Sequence, residues 1–131
     1  MQPITRQIIG KANDYSAVDL VRCQQRLVQL RVVAAAELAK CDVLMVSTIR
    51  KAFTIAEVNA DPIGVNALLG TYTNFANLLD LAGLACPLWL APDGTAYGVT
   101  FLVPAGRDAE LAGLAAAFHA QTNLPLGALG A

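Results

Sequence analysis

LACPLWLAPDGTAYGVTFLV, residues Leu84 to Val103, is the stretch whose reading decides the fold. Two apolar runs, Leu84 to Ala91 and Tyr97 to Val103, flank Pro92-Asp93-Gly94. Proline presets φ for a turn, aspartate bonds its own backbone, and glycine accepts a positive φ, so the stretch predicts an antiparallel strand pair. Upstream, Asp42 to Ser47 holds a continuous apolar run, Val43-Leu44-Met45-Val46, which predicts a third, buried strand.

Helices are expected around these strands. Ile4, Ile8 and Ile9 suit a short helix ending at Gly10. Ser16, with Asp19 three residues on, approximates a capping box for a helix over roughly Ala17 to Lys40. There Leu20, Cys23, Leu27, Leu30, Ala34 and Leu38 recur at three- and four-residue steps as one apolar face, opposite Arg22, Gln25, Arg26 and Gln29. Asp61-Pro62 opens a helix to Leu69 that Gly70 closes, and Thr73 can cap another over Asn74 to Ala82, ended by Gly83. A last helix is expected from Asp108 to about Ala120. The fold class is therefore α/β, a short mixed sheet covered by helices, with residues 121–131, holding Pro125, Gly127 and Gly130, as a tail or linker.

The 131 residues have the length of one domain. Hydrophobic residues reach 56% while charged residues fall to 15%, against a usual charged fraction of about a quarter. A small domain cannot hide that much apolar surface, so a face covered by a partner subunit or by the remainder of a larger domain is expected. Eight of the nine cations precede residue 52 and six of the ten acids follow it, which reads as a solvated helix face and an acidic surface. With a net charge of −1 and no basic stretch interleaved with aromatics, nucleic acid is not an expected partner. The longest apolar run, Leu81 to Ala91, is short and contains Gly83 and Pro87, so neither a membrane span nor a signal peptide is expected. Cys23, Cys41 and Cys86, odd in number and widely spaced, suit reduced thiols in the cytoplasm.

Catalytic chemistry is sparse. Gly-x-Ser-x-Gly, Gly-x-Gly-x-x-Gly and P-loop patterns are absent, and one histidine without a Cys-x-x-Cys pair supports neither a metal nor a cofactor site. A Cys86 and His119 dyad is conceivable, but Cys86 in a strand and His119 near a helix end have structural readings. Asp108 and Glu110 fall in a first helical turn, where capping and the helix dipole account for acids. Gly70-Thr71-Tyr72-Thr73-Asn74-Phe75 places polar side chains at a helix entrance, which either hosts a ligand or satisfies local backbone groups.

Phe53-Thr54-Ile55-Ala56-Glu57-Val58, Asp61-Pro62 and Leu69-Gly70-Thr71-Tyr72-Thr73-Asn74-Phe75, continued by Asn77-Leu78-Leu79-Asp80-Leu81, resemble the late part of allophanate hydrolases in the amidase-signature family. Gly94, Gly98-Val99-Thr100 and the opening Pro3-Ile4-Thr5-Arg6 with Ser16-Ala17-Val18-Asp19 fit the same pattern. The resemblance implies a partial amidase-signature fold over 1–120 and, in the whole enzyme, hydrolysis of allophanate to ammonia and carbon dioxide without a cofactor. It also implies a serine nucleophile, a second serine and a lysine in a Gly/Ser-rich context that Ser16, Ser47, Lys11, Lys40 and Lys51 do not match. No catalytic residue carries over, and the partner expected is the N-terminal amidase segment or a second copy. Thr73 and Asn74 are the expected substrate-pocket residues. The alternative is a non-catalytic, self-associating α/β protein derived from that fold.

Overall fold

The structure, a computed structural model, describes residues 1–124. In chain order it contains α1 (Pro3–Gly10), a 3-10 turn (Lys11–Asp14), α2 (Ala17–Leu38), β1 (Leu44–Ser47), α3 (Ile55–Ala60), α4 (Pro62–Leu69), α5 (Asn74–Leu78), β2 (Leu81–Leu90), β3 (Ala96–Pro104) and α6 (Asp108–Thr122). The α/β class stands.

Sheet direction departs from expectation. The strand order is β1-β3-β2 and both pairings are antiparallel, so the sheet is not mixed. β1 and β2 do run the same way, but the hairpin folds β3 back between them, and no parallel neighbours remain. As the central strand, β3 is buried on both faces. Val99, Phe101 and Val103 point to one side, where Cys86 from β2 and Leu111 and Ala115 from α6 complete the core, with Leu84 and Phe118 packed against it. The Phe101 and Phe118 rings meet edge to face at 5.1 Å. On the other side Thr100 and Leu102 are buried, Leu102 to 1% exposure. The run Val43 to Val46 was expected to be buried; β1 is instead an edge strand, half-covered at Leu44 and Val46 and open at Met45.

Between Asn74 and Gly83 the expected helix to Ala82 is replaced by the five-residue α5 and the start of β2. Leu79 N–H donates the last helical bond to Phe75 at 2.8 Å, and Asp80 then takes a left-handed backbone with φ 58°. Leu81, Ala82 and Gly83 pair with Pro104, Val103 and Leu102. Ladder bonds and burial of Ala82 on the core outweigh local helix propensity. Gly83 is thus a strand glycine under Leu102, where a Cβ would come within 2.9 Å of the leucine Cδ2.

Local signals place the helix starts. Ser16 Oγ accepts from Asp19 N–H at 3.2 Å and Asp19 Oδ2 accepts from Ser16 N–H at 3.0 Å, the reciprocal box expected. The same motif, Thr54 with Glu57, starts α3, a helix not anticipated from periodicity because it is only six residues long. Asp61 caps α4 through Gly64 N–H at 2.9 Å. α2 stops at Leu38, two residues early, as the chain tightens through Lys40 N–H to Glu37 O and Cys41 N–H to Leu38 O. α6 continues to Thr122, two residues into the expected tail; residues 125–131 lie outside the described residues.

α2 is the anomaly. None of its 22 residues is buried. Of the expected apolar face only Leu27, Ala34 and Leu38 are half-covered, while Leu20, Cys23 and Leu30 are exposed. No helix among the described residues is long and apolar enough to cross a membrane.

Candidate functional site

The turn of the hairpin shapes an open recess. Gly94 takes φ 84°, Asp93 Oδ1 accepts from Thr95 N–H at 2.9 Å, and Ala91 N–H donates to Thr95 O at 2.9 Å. Beyond the turn, a register shift between Pro87 and Trp89 bulges β2 and brings Trp89 opposite Tyr97. Their rings stack at 5.3 Å with 22° between planes. The cleft of about 780 Å³ beside this pair is lined mainly by apolar groups, among them Ile49, Cys86, Pro87, Leu90 and Leu124, with Thr48 and Asp93 as its polar members. Such an apolar, open recess accepts an apolar or planar group and offers little to polarise an amide. Sequence reasoning did not single out Trp89 or Tyr97, although they stand three residues before and three after Pro92-Asp93-Gly94 and so face each other in any tight hairpin.

Cys86 forms part of the cleft wall and is buried; burial pushes its thiol pKa up. A nucleophilic thiol needs the opposite, a depressed pKa beside a cation. His119, on α6, places Nε2 2.8 Å from Leu124 O, and no hydrogen bond joins it to Cys86 among the described residues. The dyad has no geometric support. Glu110 is held by Arg107, at 2.7 Å, which lowers the Glu110 pKa and raises that of Arg107.

Thr73 and Asn74 lie elsewhere, at the entrance to α5. Thr73 occupies the N-cap position but its side chain makes no capping bond. Both backbone N–H groups converge on Gly70 O, at 3.1 Å from Thr73 and 2.9 Å from Asn74. The Asn74 amide occupies the space a Cβ on Gly70 would need, which explains glycine there. Neither residue lines the hairpin cleft. A second recess of about 350 Å³ lies where α2 meets the start of β2, between Arg31, Cys41, Asp42, Asp80 and Arg107. Arg31 Nε donates to Leu78 O at 2.7 Å there, the hydrogen bond that ties α2 to the end of α5. Among the described residues no three His, Cys, Asp or Glu side chains gather as metal ligands.

No family profile matches the chain. Urea amidolyases from Lachancea kluyveri and Saccharomyces cerevisiae are 37% and 36% identical to it over 115 residues. Those matches cover 88% of this chain but only 6% of each relative. A solved variant of Kluyveromyces lactis allophanate hydrolase superposes with a TM-score of 0.84 at 33% identity, covering 88% of this chain and 19% of that one. Sequence and fold thus agree along nearly the whole chain, and this protein is an allophanate-hydrolase-related α/β unit corresponding to a segment of those much longer proteins.

Proposed function

We propose that this chain acts as a structural part of an allophanate-hydrolase-like amidase, contributing the antiparallel sheet and one wall of the substrate pocket while hydrolysis rests on residues outside it. The observation that carries this reading is the close superposition on 19% of an allophanate hydrolase. Its own groups support no amide hydrolysis: the buried cysteine has a raised pKa, and the lone histidine is committed to a backbone carbonyl. In the complete protein the reaction would release ammonia and carbon dioxide from allophanate. The partner is the N-terminal amidase segment that carries the Ser-Ser-Lys machinery, and Thr73 and Asn74 face its pocket. Asn74 is exposed at the entrance of α5, with its amide folded over Gly70. Three free cysteines suit a reducing compartment, the cytoplasm.

The test is complementation. An allophanate hydrolase truncated to remove the matching segment is coexpressed with this chain, and ammonia release from allophanate is measured. Restored release, weakened by Asn74→Ala through a higher KM, is the expected result. Ammonia release by this chain alone, or no complementation by a complex that does form, overturns the reading. The alternative of a non-catalytic self-associating protein is favoured by one observation, the bare length of α2.

A further inference from the structure

We propose that the recess beside Trp89 and Tyr97 is the seat of residues 125–131 of this chain, which pack across it as an apolar, proline-led strap. The end of α6 aims the chain there. Thr122 closes the helix, and Asn123 takes a left-handed backbone with φ 48°, its N–H donating to His119 O at 3.0 Å. His119 Nε2 then donates to Leu124 O at 2.8 Å, fixing the residue that follows the turn. Leu124 is half-buried and joins Pro87, Trp89 and Leu90 in lining the recess. The strap therefore begins on the wall it covers. From Leu124 onward, seven residues reach ~23–25 Å when extended, long enough to cross a recess of about 780 Å³.

The occupant follows from its chemistry and its tether. Pro125-Leu126-Gly127-Ala128-Leu129-Gly130-Ala131 carries no charged and no hydrogen-bonding side chain, matching a recess whose lining is mainly apolar. Pro125 fixes its own φ and disfavours helix at Leu124, so the chain leaves α6 extended. A polyproline II path has three residues per turn, which puts Leu126 and Leu129 on one face ~9 Å apart. Aromatic-lined grooves recognise segments of this kind. Here the aromatic side of the groove is the stack of Trp89 on Tyr97, and Trp89, 54% exposed, has apolar area to give up. Gly127 and Gly130 let the backbone come close to flat rings. Held at Leu124, the segment meets the recess at an effective concentration of about millimolar, well above that of a separate chain in dilute solution.

Trp89 is the only tryptophan, so its fluorescence reports on the recess. On the full chain, Leu126→Asp with Leu129→Asp should raise the acrylamide quenching constant of Trp89 about twofold or more and shift its emission to the red, because an unpaired carboxylate is not buried against an apolar wall. Ala128→Asp, off the leucine face, should change neither. Both variants leave every described helix and strand untouched, so unchanged circular dichroism is expected. In the wild-type chain, the Leu126 and Leu129 methyls should show nuclear Overhauser contacts to the Trp89 indole that do not depend on protein concentration. Quenching indifferent to the double variant overturns the proposal, as does an equal effect of Ala128→Asp or the absence of those contacts. Contacts seen only between differently labelled copies also overturn it and make a second chain the occupant. None of these readouts depends on ammonia release or on an amidase segment, so this inference and the proposed function can fail separately.

Discussion

Thr48 Oγ1 and Thr100 Oγ1 lie 2.9 Å apart, joining the segment just after β1 to the central strand by a hydroxyl pair at the edge of the core. Thr100 is a buried polar residue, so its hydroxyl depends on this partner. Thr48 is fixed in turn by its N–H donating to Gly98 O at 3.0 Å. Thr100→Val keeps the shape and loses the bond, and should cost about 0.5–1.5 kcal/mol in urea unfolding. In a double-mutant cycle with Thr48→Val the two changes should be non-additive. Strict additivity would show that the hydroxyls act independently.

Gly83 permits the close passage of β2 under Leu102. Alanine there would push its methyl to 2.9 Å from a side chain that is 1% exposed and has nowhere to move. Gly83→Ala should therefore destabilise by about 1–3 kcal/mol. Gly113→Ala in α6, where a Cβ meets nothing within 4 Å, should be neutral or stabilising. Equal thermal midpoints for the two variants would contradict the packing argument.

Cysteine reactivity should follow burial. With iodoacetamide at neutral pH, Cys23 and Cys41, both exposed, should alkylate first, and Cys86 only after unfolding. Peptide mass spectrometry reads the order directly. Rapid labelling of Cys86 in the folded chain would mean that its wall of the hairpin cleft opens.

Glu57 is the clearest titrating group. The hydrogen bond from Lys51, at 2.8 Å, with those from the Thr54 N–H and hydroxyl, lowers its pKa from the ordinary 4.5 to about 2. A depressed carboxylate stabilises fully above its unfolded pKa and loses that contribution as pH falls through the folded value. The start of α3 should therefore hold to below pH 4.5 and loosen as pH approaches about 2. Carbon-detected NMR of the Glu57 carboxyl should show the low midpoint, and Lys51→Met should raise it. A midpoint near 4.5 in the wild-type chain would show that the capping geometry does not persist.

The capping box of α2 should matter more than usual, since the helix has no buried residue to anchor it. Ser16→Ala removes the acceptor for Asp19 N–H and should cost about 1 kcal/mol of helix stability, visible as lost helical circular dichroism. Unchanged helicity would mean that association, rather than the cap, holds the helix.

Local chemistry made much of this chain legible. Ser16 with Asp19, Asp61-Pro62 and Pro92-Asp93-Gly94 act within a few residues, so the starts of α2 and α4 and the β2–β3 hairpin could be read directly, and the Thr54 with Glu57 box was there to be read for α3. The apolar surplus likewise announced a face without cover. The end of α5 was not legible, because Leu81-Ala82-Gly83 suits a helix locally and becomes strand only through its ladder with β3. Nor could the sequence tell that Val43 to Val46 would form an edge strand, that Thr73 and Asn74 would stand apart from the hairpin cleft, or that Trp89 would stack on Tyr97. Caps and turns are decided by neighbours along the chain, whereas strand order, exposure and cleft membership depend on which distant segments share a face, and only the tertiary structure decides that.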